Sequence, residues 1–200
     1  MQEIQSIVDA VMGKIFVEME ASGRHVHVTK EQAQQLFGHG LTPKRPLSQP
    51  GQFLANERVT VLGPKGEFQN VAVLGPERKE AQIEISLTDG RTLGITPPVR
   101  QSGSVQESPG AVLVGPQGRV TLQQGVIAAQ RHIHVHPGDA ARLGVQDKQT
   151  VKLQTFTQRP VMFEDVLVRV SPDFATYVHL DYDEANACGM KPGDLGRIIS

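Results

Sequence analysis

Two short histidine pairs stand out as residues able to do chemistry. His25 and His27 lie in Arg24-His-Val-His, and His132 and His134 lie in Arg131-His-Ile-His. Side chains two apart on a strand point to the same face, so each pair can chelate one metal ion. A lone His-x-His is commonly a surface pair, but these two recur inside a longer pattern. Gly23-Arg-His-Val-His-Val-Thr-Lys-Glu-Gln-Ala-Gln-Gln-Leu-Phe-Gly38 echoes Gln130-Arg-His-Ile-His-Val-His-Pro-Gly-Asp-Ala-Ala-Arg-Leu-Gly-Val145, which marks an internal repeat. Further along, Gln82-Ile-Glu-Ile-Ser can be laid on Tyr177-Val-His-Leu-Asp, placing Glu84 opposite His179. Glu84 and His179 are therefore the natural third ligands. Three protein ligands with one open position make a catalytic rather than a structural zinc site. Imidazole with carboxylate also suits other first-row divalents, so zinc is the first choice among several. His136 aligns with Thr29, a cap position, and reads as a helix-start residue; His39, in Gly38-His39-Gly40, matches nothing and reads as solvated.

Arginines form the second group. Arg78, in Gly75-Pro-Glu-Arg-Lys-Glu80, precedes the Glu84 strand and has the geometry to bind a phosphate or carboxylate with two hydrogen bonds. Read alone, it is a solvated turn arginine. Arg24 and Arg131 fall on the strand face opposite the histidines and read as structural ion pairs. Gly63-Pro-Lys-Gly66 and Gly115-Pro-Gln-Gly118 read as hairpin turns, because no nucleotide-binding fingerprint is present. A nucleophilic serine elbow is also missing. Cys188 has no partner base nearby in sequence and reads as packing.

These residues need elements to hold them. Short strands are expected at Val59-Thr-Val-Leu, Val71-Ala-Val-Leu, Ile83-Glu-Ile-Ser-Leu, Ala111-Val-Leu-Val, Val151-Lys-Leu, Val166-Leu-Val-Arg-Val and Tyr177-Val-His-Leu. Gly63-Pro64, Gly75-Pro76, Asp89-Gly90, Gly115-Pro116 and Pro172-Asp173 separate them, a spacing typical of barrels and sandwiches. Helices are expected to be few. Thr29-Lys-Glu-Gln32 is a capping box opening a helix towards Phe37 with Gly38 as its stop. Pro137 suits the first turn of a matching helix ending at Gly144. Residues 101–110 read as a polar link between the halves. Ile4, Ile7, Val8, Val11, Met12 and Ile15 form an amphipathic stripe, too short to be a stable helix without something to dock on. It either packs on its own protein or serves as a detachable targeting helix.

Composition narrows the classes. The 200 residues include 20 Lys plus Arg against 21 Asp plus Glu, for a net charge of −1. This balance argues against broad electrostatic nucleic-acid binding, and 4% aromatics argue against stacking platforms for single strands. One cysteine cannot close an internal disulfide. No apolar run approaches the ~20 residues of a membrane span, and the N-terminus lacks a secretory pattern. The expectation is an intracellular protein with neither nucleic-acid nor membrane partners.

The residues also resemble a known family. Arg24-His-Val-His, Gly75-Pro-Glu-Arg78, Gln82-Ile-Glu84-Ile-Ser, Thr96-Pro-Pro-Val-Arg100-Gln-Ser-Gly103, Ser108-Pro-Gly110, Leu113-Val-Gly-Pro116, Gly125-Val-Ile127, Arg131-His-Ile-His134 and His179-Leu-Asp are similar to the PduL-type phosphotransacylases. These are the phosphate propanoyltransferases of bacterial acyl-CoA metabolism. The likeness runs from about Val17 to Ile199. It implies a mainly β fold of two small β-barrels related by an internal repeat, with a few short capping helices. One barrel would span 24–129 and the other 14–23 plus 130–200; residues 1–13 are the amphipathic helix read above, docked on its own domain or a sister subunit or serving as a targeting segment. It implies two zinc ions at the barrel junction, held by His25, His27, Glu84, His132, His134 and His179. It further implies an essential catalytic arginine at Arg78 and a coenzyme A contact at Asn186. The implied activity is acyl transfer between coenzyme A and inorganic phosphate by a homo-oligomer. The implied setting is the bacterial cytoplasm, or the interior of a microcompartment with its shell and core proteins as partners. One departure is Ser22-Gly23-Arg24-His25, where the family commonly has asparagine before the arginine. Two other classes compete. Cupin-type oxygenases also use His-x-His, Glu and a later His, but place the Glu a few residues after the pair, whereas Glu84 stands far downstream of His27. A metal-stabilised assembly module without catalysis is the second.

Overall fold

The computed structural model describes residue 13 and residues 15–199. Apart from Gly13 and Ile15, the stripe over 4–15 and the targeting segment over 1–13 lie outside the described residues. In chain order the first strands are β1 (Phe16–Ser22), β2 (His25–His27), β3 (Pro43–Pro46), β4 (Phe53–Leu62), β5 (Glu67–Gly75), β6 (Gln82–Glu84), β7 (Val99–Arg100) and β8 (Ala111–Val114). There follow β9 (Arg119–Leu122), β10 (Val126–Ala129), β11 (His132–Val135), β12 (Thr150–Phe156), β13 (Met162–Val170), β14 (Tyr177–Asp181) and β15 (Leu195–Ile199). Four short helices are described: α1 (Lys30–Phe37), α2 (Leu87–Leu93), α3 (Pro137–Leu143) and α4 (Tyr182–Cys188). None is long and apolar enough to cross a membrane.

Two compact units divide the chain, one of residues through Ser22 with those from Arg131 on, the other of Gly23–Gln130. In the first, six strands close a barrel in the order β1-β14-β11-β13-β12-β15, with β15 returning to β1. Alternation builds it: β12 buries Val151, Leu153 and Thr155 and turns Lys152 outward, the pattern of a strand with one face on a core. Val17, Met19, Ile133, Leu153, Val168, Val178 and Leu180 are among the residues filling that core. The second unit is a nine-stranded curled sheet, β7-β10-β6-β2-β5-β4-β8-β9, with β3 paired to β4. Its separate core includes Val26, Leu36, Val61, Val73, Ile83, Leu93 and Leu113.

The two sheets share one wiring. From β1 through β14, β11, β13 and β12 to β15 the pairings run parallel, antiparallel, parallel, antiparallel, antiparallel. From β10 through β6, β2, β5 and β4 to β8 the same series repeats. The second sheet is thus the same barrel with one seam open: β8 pairs onward to β9 and β10 to β7, where the barrel joins its ends. The chain order differs at one place. β10 is the last of its six strands, whereas its counterpart β1 is the first.

Three expectations need correcting. The strand expected over Ile83–Leu87 ends at Glu84, and Leu87 opens α2. Ser86 caps that helix by accepting from the Asp89 backbone at 3.1 Å, and Asp89 accepts in return from the Ser86 backbone. Asp89-Gly90, expected as a turn, therefore lies inside a helix. Residues 101–110 do not link the halves; they belong to the second unit, where Val105 and Ser108 are buried. The chain passes between units at 22–23 and 130–131 instead. The helix from Thr29 to Gly38 has both capping-box bonds, and that from Pro137 ends at Gly144. Both stopping glycines are left-handed, with φ of 79° and 67°, where a side chain would be strained.

Candidate metal centres

β2 and β6 pair antiparallel with His25 opposite Glu84 and His27 opposite Gln82. β11 and β14 repeat that register, with His132 opposite His179 and His134 opposite Tyr177. Strand alternation then turns Val26 and Ile133 into the cores and both histidines of each pair to the other face. The outcome is two clusters, His25-His27-Glu84 and His132-His134-His179. In each, one ligand atom per residue lies within 4.8 Å of the others. The structure thus brings the six sequence-predicted ligands together in two sets of three.

The first cluster is buried at all three residues. His25 Nδ1 lies 2.8 Å from the Gly23 carbonyl and His27 Nδ1 3.2 Å from the Leu74 carbonyl. A carbonyl only accepts, so each Nδ1 carries a proton and Nε2 is the nitrogen a metal would take, the arrangement that holds a ligating histidine in place. Glu84 is oriented as firmly. Its Oε1 accepts from Gln82 Nε2 at 2.5 Å and from the Ser102 hydroxyl at 2.8 Å, leaving Oε2 to face His25 Nε2 at 3.6 Å. Gln82 is itself fixed by a bond from the Gly103 backbone at 2.7 Å.

Burial shapes the charges here. It pulls the His27 pKa well below the usual imidazole value, helped by the nearby His25 and Arg78, so the ring is neutral, as a ligand must be. Burial also acts on His25, but the Glu84 carboxylate outweighs it and raises that ring. Burial would raise Glu84, yet His25 and its hydrogen bonds hold the carboxyl far below its ordinary range.

The second cluster is a nest of three imidazoles. Ring centres lie 4.7 Å apart for His132–His134, 5.0 Å for His132–His179 and 4.8 Å for His134–His179. Phe174 stacks on His134 with centres 3.9 Å apart, and Glu20 Oε2 lies 4.0 Å from His179 Nδ1. Three crowded imidazoles repel if protonated and bind a shared cation if neutral. His₃ and His₂Glu with an open fourth position are both donor sets of catalytic zinc, so the residues fit that ion.

Arg78 follows β5, its backbone donating to the Val28 carbonyl at 2.9 Å and its guanidinium to Ser102 Oγ at 3.3 Å. Ser102 in turn donates to Glu84, so Arg78 and the Glu84 carboxylate share one hydroxyl. Beside it, a groove of about 310 Å³ runs between the turn at 50–52 and the loop at 75–78. Asn186 is exposed on α4, and no hydrogen bond or ion pair described here joins it to the second cluster. Cys188 is buried in the barrel core, as expected of a packing residue. His39 is exposed and His136 caps α3, accepting from the Gly138 backbone at 3.1 Å. Sequence reading missed Gln82 and Ser102. Gln82 was legible from alternation, sharing a strand face with Glu84. Ser102 was not, because it reaches Glu84 from a loop eighteen positions on.

Comparison with known proteins places this arrangement. The phosphate propanoyltransferase family matches residues 18–191. A phosphate propanoyltransferase of Enterococcus faecalis is 54% identical over 184 residues, covering 91% of this chain and 87% of that protein. One from Clostridioides difficile is 48% identical over 198 residues, covering 98% and 95%. One from Thermotoga maritima is 47% identical over 202 residues, covering 100% and 96%. With the match running from within β1 to beyond α4, this chain belongs to the phosphate propanoyltransferase family and is a transferase.

Proposed function

We propose that the chain moves a short acyl group between coenzyme A and inorganic phosphate, acyl-CoA + phosphate ⇌ acyl phosphate + CoA, with a zinc ion in each triad. The observation that carries this reading is Arg78 bonded through Ser102 to Glu84, which fixes a permanent positive charge beside a three-ligand cage. Zinc bound in the two cages would supply Lewis acidity to an oxyanion or a thiolate at its open position.

The remaining chemistry follows from the chain's own groups. A phosphate oxygen attacks the thioester carbonyl carbon, the C–S bond breaks, and the sulfur departs with the electron pair. A thiol pKa of about 8.5 makes the thiolate a fair leaving group, so no general acid is needed. What the reaction does need is a weak anionic nucleophile held in line, and positioning of that kind supplies several kcal/mol. The Arg78 guanidinium offers planar paired donors to the phosphate and offsets the charge that gathers as it approaches the thioester. Ser102 restrains that guanidinium, and Gln82 and Ser102 together restrain Glu84. Asn186, exposed on α4, is assigned to coenzyme A. A homo-oligomer in the bacterial cytoplasm, or enclosed with shell and core proteins of a microcompartment through residues 1–13, completes the reading.

The test is thiol release from acetyl-, propionyl- and butyryl-CoA with and without phosphate, alongside metal analysis of the active protein. Phosphate-dependent release with two zinc ions per chain is the expected result. Release independent of phosphate, or full activity without bound metal, overturns it. Deleting residues 1–13 should leave turnover unchanged and alter localisation or oligomeric state.

A further inference from the structure

Each His-x-His motif opens with an arginine that the proposed chemistry does not use. Arg24 grips Asp89 with two donors, Nε to Oδ2 at 3.1 Å and Nη2 to Oδ1 at 2.7 Å. Its guanidinium also lies 4.0 Å from the centre of the Phe68 ring. Asp89 is the third residue of α2 and closes the capping box on Ser86, and Ser86 stands two residues after Glu84. The other unit repeats the ring of connections, with one prong on the acid in place of two. Arg131 Nη1 donates to Glu184 Oε1 at 2.7 Å. Glu184 is the third residue of α4 and closes the capping box on Asp181, two residues after His179. Arg131 Nε is held in addition by the Glu164 carbonyl at 2.6 Å.

Both arrangements form a closed ring of connections. From Glu84 the chain runs to Ser86, the cap joins Ser86 to Asp89, the ion pair joins Asp89 to Arg24, and Arg24 precedes His25. The ladder then returns from His25 to Glu84. The Gly23 carbonyl that sets the His25 tautomer sits on the other side of Arg24, so the same anchor holds that acceptor as well. The ring through His179, Asp181, Glu184, Arg131 and His132 has the same members.

We infer that Arg24–Asp89 and Arg131–Glu184 are positioning pairs, each locking the strand that carries two ligands to the strand that carries the third. Neither arginine is a member of its triad. Each sets the spacing of its own triad through the backbone, and so tunes its own metal site independently of the other. Buried Asp89 is clasped by a two-pronged guanidinium, and Arg131 spans half-buried Glu184 and the Glu164 carbonyl with separate donors; lysine cannot reproduce either fork. The inference rests on the metal-binding reading of the triads, and its test separates the two.

The experiment is competition for zinc between a chromophoric chelator and the full-length protein, comparing wild type with Arg24→Lys, Asp89→Asn, Arg131→Lys and Glu184→Gln. Metal-free melting is recorded for each. Changes at the first pair should weaken one of the two sites on the order of tenfold, as outer-shell changes do, and leave the other at wild-type affinity. Changes at the second pair should do the reverse. The conservative variants Arg24→Lys and Glu184→Gln keep the side-chain bulk and guard against loss of fold. Two outcomes overturn the inference: unchanged affinities in all four variants, or equal weakening of both sites in step with a lowered metal-free melting temperature. A wild-type protein that holds no zinc defeats the metal-binding reading itself, which is a different result.

Discussion

The Ser102 hydroxyl donates to Glu84 Oε1 at 2.8 Å while accepting from Arg78 Nη1 at 3.3 Å. One oxygen therefore couples the carboxylate proposed as a metal ligand to the cation proposed for phosphate. Ser102→Ala removes both contacts, together with the bond from Gln82 Nε2 to Ser102 Oγ at 2.8 Å, and leaves Gln82 as the remaining donor to Oε1. A lost hydrogen bond to a charged group is worth about 1.5–3 kcal/mol. We expect a lowered melting temperature, measured by calorimetry, and a kcat about tenfold to a hundredfold lower, measured by steady-state thiol release.

Arg78→Ala should leave the fold and the metal in place, because the backbone bond from Arg78 to Val28 survives and the side chain is only half-buried. Loss of a donor that stabilises developing charge costs about 3 kcal/mol, or roughly a hundredfold in rate. Arg78→Lys should restore part of the activity at most, since it keeps the charge without the paired donors. An Arg78→Ala protein that is folded, metal-loaded and fully active contradicts the role.

Chelator stripping should abolish activity and spare the secondary structure. The ligand strands are already anchored by apolar neighbours: Val26, Ile83, Ile133 and Val178 are fully buried. Far-UV circular dichroism should change little, the melting temperature should fall because an ion bound to the folded state stabilises it, and added zinc should restore turnover. Global unfolding on stripping would mark the metal as structural.

Ile83 lies between Gln82 and Glu84 on the opposite strand face, wholly enclosed in the core of the second unit. Ile83→Ala should destabilise by about 2–5 kcal/mol. Denaturant unfolding monitored by circular dichroism measures this directly.

Asp139, in the first turn of α3, provides a pH signature. Burial would raise its carboxyl, but hydrogen bonds from Thr176 and Arg142 outweigh that and hold it below its ordinary 3.8. A depressed carboxyl stabilises the folded state above its unfolded value and loses that contribution as pH falls through the folded one. Asp139→Asn should therefore be less stable than wild type at pH 6, and the gap should narrow by pH 3. Urea unfolding at the two pH values checks the sign.

Much of the site was legible in the chain. Alternation gives each histidine pair a common face, and the repeat points from Glu84 to His179. The capped helices at Thr29 and Pro137 follow from local chemistry alone. The two helices after Glu84 and His179 were missed because seven residues carry less than two full turns of apolar periodicity. Asp89-Gly90 also has the composition of a turn, although Ser86-x-x-Asp89 was the capping signal to weigh against it. Pairing β1 in parallel with β14 joins residues more than 150 positions apart, and no local pattern reports such a partnership. Ser102 escaped for a related reason: a polar loop looks the same whether it joins halves or folds back onto a carboxylate.

The place of β1 bears on synthesis. The curled sheet is one unbroken stretch of polypeptide, so it has every strand in hand once Ala129 has emerged from the ribosome. The barrel must wait, because its opening strand is made first and the two neighbours that flank it, β14 and β15, are made last. Nascent chains are thus committed to maturing middle first and ends together. Splicing the opening strand behind the final one would give both halves the same serial order and let each be produced alone.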